Sequence, residues 1–192
     1  FSDGLTEGII TALSRFRDLF VIARNSTFRY KGQAVDVRQL SRELGARYVV
    51  EGSVQKAEDS LRVTVQLLDA KDGTHLWADT YDRDLSAYNI FDVQDEITER
   101  VVATIAGLSG VISRARFAEI KQKPTDSLDA YECVLQYAAY NRADFPPNEH
   151  SRIRDALEAA VKSDSAYADA HACLSFTYLH EHTFNYNPRP NP

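Results

Sequence analysis

Tyr48-Val49-Val50-Glu51-Gly52-Ser53-Val54-Gln55, Leu61-Arg62-Val63-Thr64-Val65-Gln66-Leu67 and His75-Leu76-Trp77-Ala78-Asp79-Thr80-Tyr81-Asp82 are three short runs of alternating character separated by two polar turns. A strand places successive side chains on opposite faces, so Tyr48, Val50 and Val54 share one side while Val49, Glu51, Ser53 and Gln55 share the other. Leu61, Val63, Val65 and Leu67 repeat the pattern against Arg62, Thr64 and Gln66. In the third run Trp77 and Tyr81 oppose Leu76 and Ala78, a mixture that leaves both faces partly covered. Ala57-Glu58-Asp59-Ser60 and Asp69-Ala70-Lys71-Asp72-Gly73 supply the polar, Asx- and Gly-containing turns that tight connections need. The stretch predicts an antiparallel meander whose apolar face is covered by helices from either side in sequence.

On its N-terminal side, Leu5, Ile9, Leu13 and Phe16 recur every three or four residues behind Ser2 and Asp3, which predicts a capped amphipathic helix. Leu19-Phe20-Val21-Ile22-Ala23 is a continuous apolar run too short for a helix, and it is expected to be a strand buried on both faces. Asp36 opens a second helix carrying Val37, Leu40 and Leu44, with Gln39 placed to complete a capping box and Gly45 at its end. On the C-terminal side, Ile90, Val93, Ile97, Val101, Ile105, Leu108 and Ile112 mark the longest helical stripe, extending toward Ile120. Gly107 and Gly110 each cost about 1 kcal/mol against Ala in a helix interior, so a kink or break is expected there. Residues 121–127, polar and containing Pro124, are the expected domain boundary. Beyond it, residues 128–143, 149–163 and 167–183 read as three helices, and the Pro-rich residues 185–192 as a loop. The fold class expected is α/β over residues 1–120, followed by an all-α segment over 128–192.

The chain carries 22 basic and 28 acidic residues for a net charge of -6, which argues against nonspecific binding to nucleic acid or an anionic membrane. No apolar run approaches the roughly 18 residues that cross a bilayer, and no basic-then-apolar leader opens the chain. A chain that begins at Phe1 and contains no Met is expected to be part of something longer. Cys133 and Cys173, each in an Ala- and Leu-rich helical pattern, read as small buried hydrophobes, with a disulfide as the alternative in an oxidising compartment.

Two resemblances sharpen this reading. Ala156-Leu157-Glu158-Ala159-Ala160-Val161-Lys162-Ser163-Asp164, followed by Tyr167 to Tyr178 with Leu174, Ser175 and Tyr178 in step, resembles a tetratricopeptide repeat, a 34-residue helix pair. Ser165 stands where that family has proline, and the loop holding Phe145-Pro146-Pro147 makes the preceding unit degenerate. Five ordered blocks resemble the TolB N-terminal-like domain: Phe1 to Glu7, Val21 to Ser26, Arg47 to Val54, His75 to Arg83, and Phe91 with Gln94-Asp95-Glu96-Ile97. Such domains stand beside these repeats in bacterial signalling proteins, especially next to class III adenylate or guanylate cyclase domains. The resemblance implies a sandwich with a mixed sheet, whose first strand would lie upstream, and a non-enzymatic module serving interaction or sensing.

No catalytic constellation is legible. Asp79, Asp82 and Asp84 form the closest carboxylate cluster, read as a polar strand end with Arg83 as its charge partner. His180-Glu181-His182 lacks the spacing that sets two imidazoles on one helical face, and reads as a fraying helix end. Neither cofactor nor metal is expected. Arg24, Asn25 and Ser26 are candidate ligand contacts, because they leave the carboxyl end of the expected strand, where open α/β sheets bind ligands. Tyr131 and Tyr178 are candidate partner contacts from an aromatic set that also includes Tyr137, Tyr140, Tyr167 and Phe176. The expected role is a cytoplasmic regulatory and protein-interaction region with the cyclase domain upstream. Alternatives are a small-ligand sensor and the periplasmic sensor region of a winged-helix regulator. The expected partners are a protein or peptide on the helices and a second copy paired along a sheet edge, with no nucleic acid.

Overall fold

A computed structural model describes residues 1–124 and 127–186. The chain forms two compact units, Phe1–Ile112 and Ser113–Pro192. The division falls at residues 112/113, so the boundary expected at 121–127 lies within the second unit. Residues 125 and 126 of that expected linker, and 187–192 of the expected terminal loop, lie outside the described residues.

The first unit is built on the meander. Strands β1 (Tyr48–Ala57), β2 (Ser60–Asp69) and β3 (Thr74–Asp84) pair antiparallel in the order β1-β2-β3. The register sets Val54 opposite Val63 and Val50 opposite Leu67, then Val63 opposite Tyr81 and Leu67 opposite Trp77. Leu61, Val63, Val65, Leu67 and Tyr81 are buried on one face, as the alternation demands. The other face is a polar ladder: Thr64 meets Thr80, Gln66 donates to Glu51, and Arg62 grips Asp82. Asp69 shapes the second turn, its side chain accepting from Lys71 N at 3.0 Å, and Gly73 takes φ 83°. A bulge at Leu67/Leu68 shifts the register of β3, which is why Leu76 and Trp77 are both half-buried.

Two helices cover the apolar face. Helix α1 (Ser2–Leu13) buries Leu5, Ile9 and Leu13, and helix α4 (Ile90–Ile105) buries Val93, Ile97, Val101 and Ile105 against the same core. Ser2 and Asp3 already belong to the first turn of α1, whose cap is Phe1, and Asp3 is engaged by Lys31. At α4 the Asn89 side chain accepts from Phe91 N at 2.9 Å. Between them lie α2 (Arg24–Phe28) and α3 (Val37–Leu44). Asp36 caps α3 by accepting from Arg38 N, and Gly45 ends it at φ 69°, both as expected. Gln39 donates forward to Glu43 at 2.7 Å instead of reaching back to close a capping box. Helix α4 stops at Ala106, and Gly107 turns the chain at φ 73° before α5 (Val111–Ile120) begins, so the glycines break the stripe.

Residues 19–23 differ from expectation. They form no strand, and Phe20 is 95% exposed. Leu19 and Val21 pack partly against the core while Phe20 points away, so the segment is extended with one buried side. A strand buried on both faces needs partners in a ladder, and among the described residues none pairs with it. The sheet described is therefore purely antiparallel, not mixed.

In the second unit α6 (Ala130–Arg142), α7 (Pro147–Ser163) and α8 (Ala168–Phe184) pack against one another. Asp129 and Glu132 form a reciprocal capping box at the start of α6. Ala156 and Ala160 on α7 and Ala170 and Cys173 on α8 are buried small residues that let backbones approach. Both cysteines are free, and burial pushes the thiol of Cys133 up to about 11 and that of Cys173 up to about 12, which leaves both unreactive at neutral pH. No helix among the described residues is long and apolar enough to cross a membrane.

Candidate functional site

Arg24, Asn25 and Ser26 occupy the first turn of α2 and, contrary to expectation, do not leave the carboxyl end of a strand. The Arg24 guanidinium pairs with Glu7 at 3.2 Å and lies 4.3 Å from the centre of the Phe28 ring. Its surroundings hold a short helix onto α1. Ser26 N donates to Ala23 O at 3.0 Å, an ordinary helical start, and Asn25 is exposed.

The aromatic set divides. Tyr137 and Tyr140 are buried packing residues, Tyr131 and Tyr167 are half-buried, and Tyr178 and Phe176 are exposed on α8. Tyr178 donates to Glu158 at 2.9 Å, linking α8 to α7. Two polar features of this interior are invisible to a local reading of the sequence. Arg154 on α7 reaches Glu181 on α8, which places the His180-Glu181-His182 stretch inside an ordered helix and not at a fraying end. His150 is fully buried, its Nδ1 bonded to Tyr140 Oη at 2.7 Å while its Nε2 has no hydrogen-bond partner among the described residues, and the Tyr186 ring meets it edge-on at 5.3 Å.

Burial holds the His150 imidazole below its ordinary value; Arg154 and His180 act in the same direction and Glu181 opposes them. The unfolded chain therefore takes up a proton that the folded one refuses. Stability is full above the unfolded value near 6.5 and falls as pH drops below it. We expect the wild-type unfolding free energy, read from urea curves in helix ellipticity, to decline below pH 6.5 with a slope of up to about 1.4 kcal/mol per pH unit. His150→Gln should flatten that slope. Parallel curves for the two proteins would assign the pH dependence elsewhere.

In the first unit the end of β3 and the start of α4 enclose a shallow recess lined by Asp82, Arg83, Asp84, Tyr88, Glu96 and Arg100. Arg83 forks onto Glu96, Nε donating to Oε2 at 2.9 Å and Nη2 to Oε1 at 2.7 Å, and Arg100 lies 2.9 Å from the same carboxylate. The Arg83 guanidinium holds the Glu96 carboxyl below its usual range. Asp82 is taken by Arg62 across the strands in a bidentate pair at 2.7 and 2.9 Å, and Asp84 accepts from Ser86. Arg83 thus serves α4 and not the carboxylates beside it in sequence. The register that pairs Val63 with Tyr81 also pairs Arg62 with Asp82, so the cross-strand contact was readable from the pattern once the strands were aligned. No group of carboxylates, histidines and cysteines among the described residues is arranged to hold a metal ion.

Comparison with known proteins places these features in a family. Among curated proteins the chain is similar to "Putative adenylate cyclase 3" of Rhizobium meliloti (strain 1021), at 41% identity over 180 residues. The alignment takes in 93% of this chain but 30% of that relative, so the chain spans less than a third of the relative's length. No solved structure matches. Residues 2–100, just over half of the chain and all within the first unit, match the family described as the HilA/YgeH-like transcriptional regulator, second domain. With its meander, its covering helices and its Arg83–Glu96 lock all inside or beside that span, the chain belongs to the HilA/YgeH-like transcriptional regulator second-domain family.

Proposed function

We propose that this chain is a non-catalytic regulatory and protein-interaction region of a bacterial signalling protein whose parent is a nucleotide cyclase. The observation that carries the reading is the relation to a protein named as a putative adenylate cyclase, which runs through nearly all of this chain and under a third of the relative. A region of that extent leaves ample length in such a protein for a separate catalytic domain. The chemistry of the carboxylates supports it: the strand-end aspartates are consumed by Arg62 and by the Ser86 turn, which leaves them poorly placed to share metal ions as class III cyclase chemistry requires. The helical second unit supplies a tetratricopeptide-like platform for a partner. Membership in a transcriptional-regulator family supports a second context, in which the same module serves a DNA-binding protein.

The test uses the full-length parent and a form lacking residues 1–192, assayed for cyclic nucleotide formation from ATP and GTP with magnesium or manganese. The isolated chain should form no product, and its removal should change the parent's rate several-fold. Turnover by the isolated chain, or a parent indifferent to its loss, would overturn the reading.

A further inference from the structure

We propose that the corner between β3 and α4 is a docking surface for a basic segment of a protein partner that carries an apolar anchor residue. Three large apolar side chains stand exposed within four residues there: Phe91 at 68%, Tyr88 at 60% and Ile90 at 40%. The core already holds Val93, Ile97, Val101 and Ile105 from the same helix, so these side chains are surplus to folding. Large exposed apolar side chains clustered in this way mark contact sites. Aromatic rings supply contact area at small entropic cost.

Charge decides the kind of partner. Along the exposed side of α4, Asp92, Asp95, Glu96 and Glu99 follow Phe91, with Arg100 as the one basic group in that run. Glu96 is neutralised by Arg83, but Asp92, Asp95 and Glu99 project from the helix surface. The recess beside Tyr88 is lined by Asp84, whose Oδ1 takes both Ser86 bonds. An acidic helix face adjoining two bare aromatic rings is complementary to lysine or arginine flanking a leucine, phenylalanine or tryptophan. It repels nucleic acid and anionic lipid. A second copy of this chain, with its net charge of -6, would bring like charges together.

The inference rests on the interaction reading only in expecting a protein partner. The probe is a random twelve-residue peptide library displayed on phage and selected on the 192-residue chain, followed by fluorescence anisotropy with the enriched peptides. Enrichment of Lys or Arg beside a large apolar residue is expected. Affinity should fall at least ten-fold for Phe91→Ala, at least ten-fold for the pair Asp95→Lys and Glu99→Lys, and steeply with added salt. Asp72→Lys, in the turn at the opposite end of β3, should leave it unchanged. All of these positions are exposed, so folding is preserved. A selection without basic bias, an empty selection, or peptides indifferent to both sets overturns the proposal. Self-association in ultracentrifugation that Phe91→Ala abolishes overturns it in favour of a second copy. Should the peptides fail while removal of the region still alters cyclase output, the surface is wrong and the regulatory reading stands.

Discussion

Replacing Leu67 by alanine is expected to cost the first unit about 2–5 kcal/mol, the range for truncating a fully buried leucine whose surroundings relax only in part. Leu67 is 0% exposed on the middle strand, beside the bulge, opposite Val50 on β1 and Trp77 on β3. Removing three heavy atoms there opens a void that both flanking strands border. Neither strand can move inward without dragging the ladder. Trp77 is the only tryptophan of the chain, so its emission reports this unit directly during urea unfolding. With slopes of about 1–3 kcal/mol per molar urea for small domains, the midpoint should fall by roughly 1–2 M at unchanged slope. Gln55→Ala, on the solvent side of β1, should move it by no more than about 0.5 kcal/mol. Equal losses at the two positions would mean that the sheet buries its other face.

That asymmetry was legible because period-two alternation is a local signal. The same holds for α3, where Asp36 and Gly45 act through bonds spanning a few residues, and for the break after α4, where Gly107 supplies a positive φ within the helical stripe. Leu19-Phe20-Val21-Ile22-Ala23 was misread for the complementary reason. Whether an apolar run becomes a strand depends on the backbone beside it, and no property of those five residues specifies a ladder partner. The strand-end placement expected for Arg24 to Ser26 inherited that dependence. The lock between Arg83 and Glu96 spans two elements, and so does the pair of Arg154 with Glu181. Composition supplies the charges for such pairs, but only packing decides which of many acids each arginine meets. Sequence proximity pointed Arg83 toward Asp82 and Asp84. The strand alternation turned it instead to the covered face, where α4 lies.

Arg154 carries the second large effect. Its side chain is 12% exposed and Glu181's is 14%, with Asp155 and Glu158 as further partners at 2.9 and 3.7 Å. Truncation to alanine leaves the Glu181 carboxylate within the packed face between α7 and α8 without its cation. Breaking a fully buried pair costs about 3–5 kcal/mol, and the residual exposure reduces the expectation to about 2–4 kcal/mol. The loss should appear as a lower urea midpoint in helix ellipticity at 222 nm. Most of it is the penalty of a stranded charge and not the net worth of the bridge. Arg154→Met combined with Glu181→Leu should therefore recover more than half of the loss, because both charges leave together and the apolar volume is retained. If the double variant is instead as unstable as the sum of the two single ones, Arg154 contributes through its hydrogen bonds to Asp155 and its ion pair with Glu158, which Tyr178 also holds, and α8 is held to α7 by a network and not by one contact.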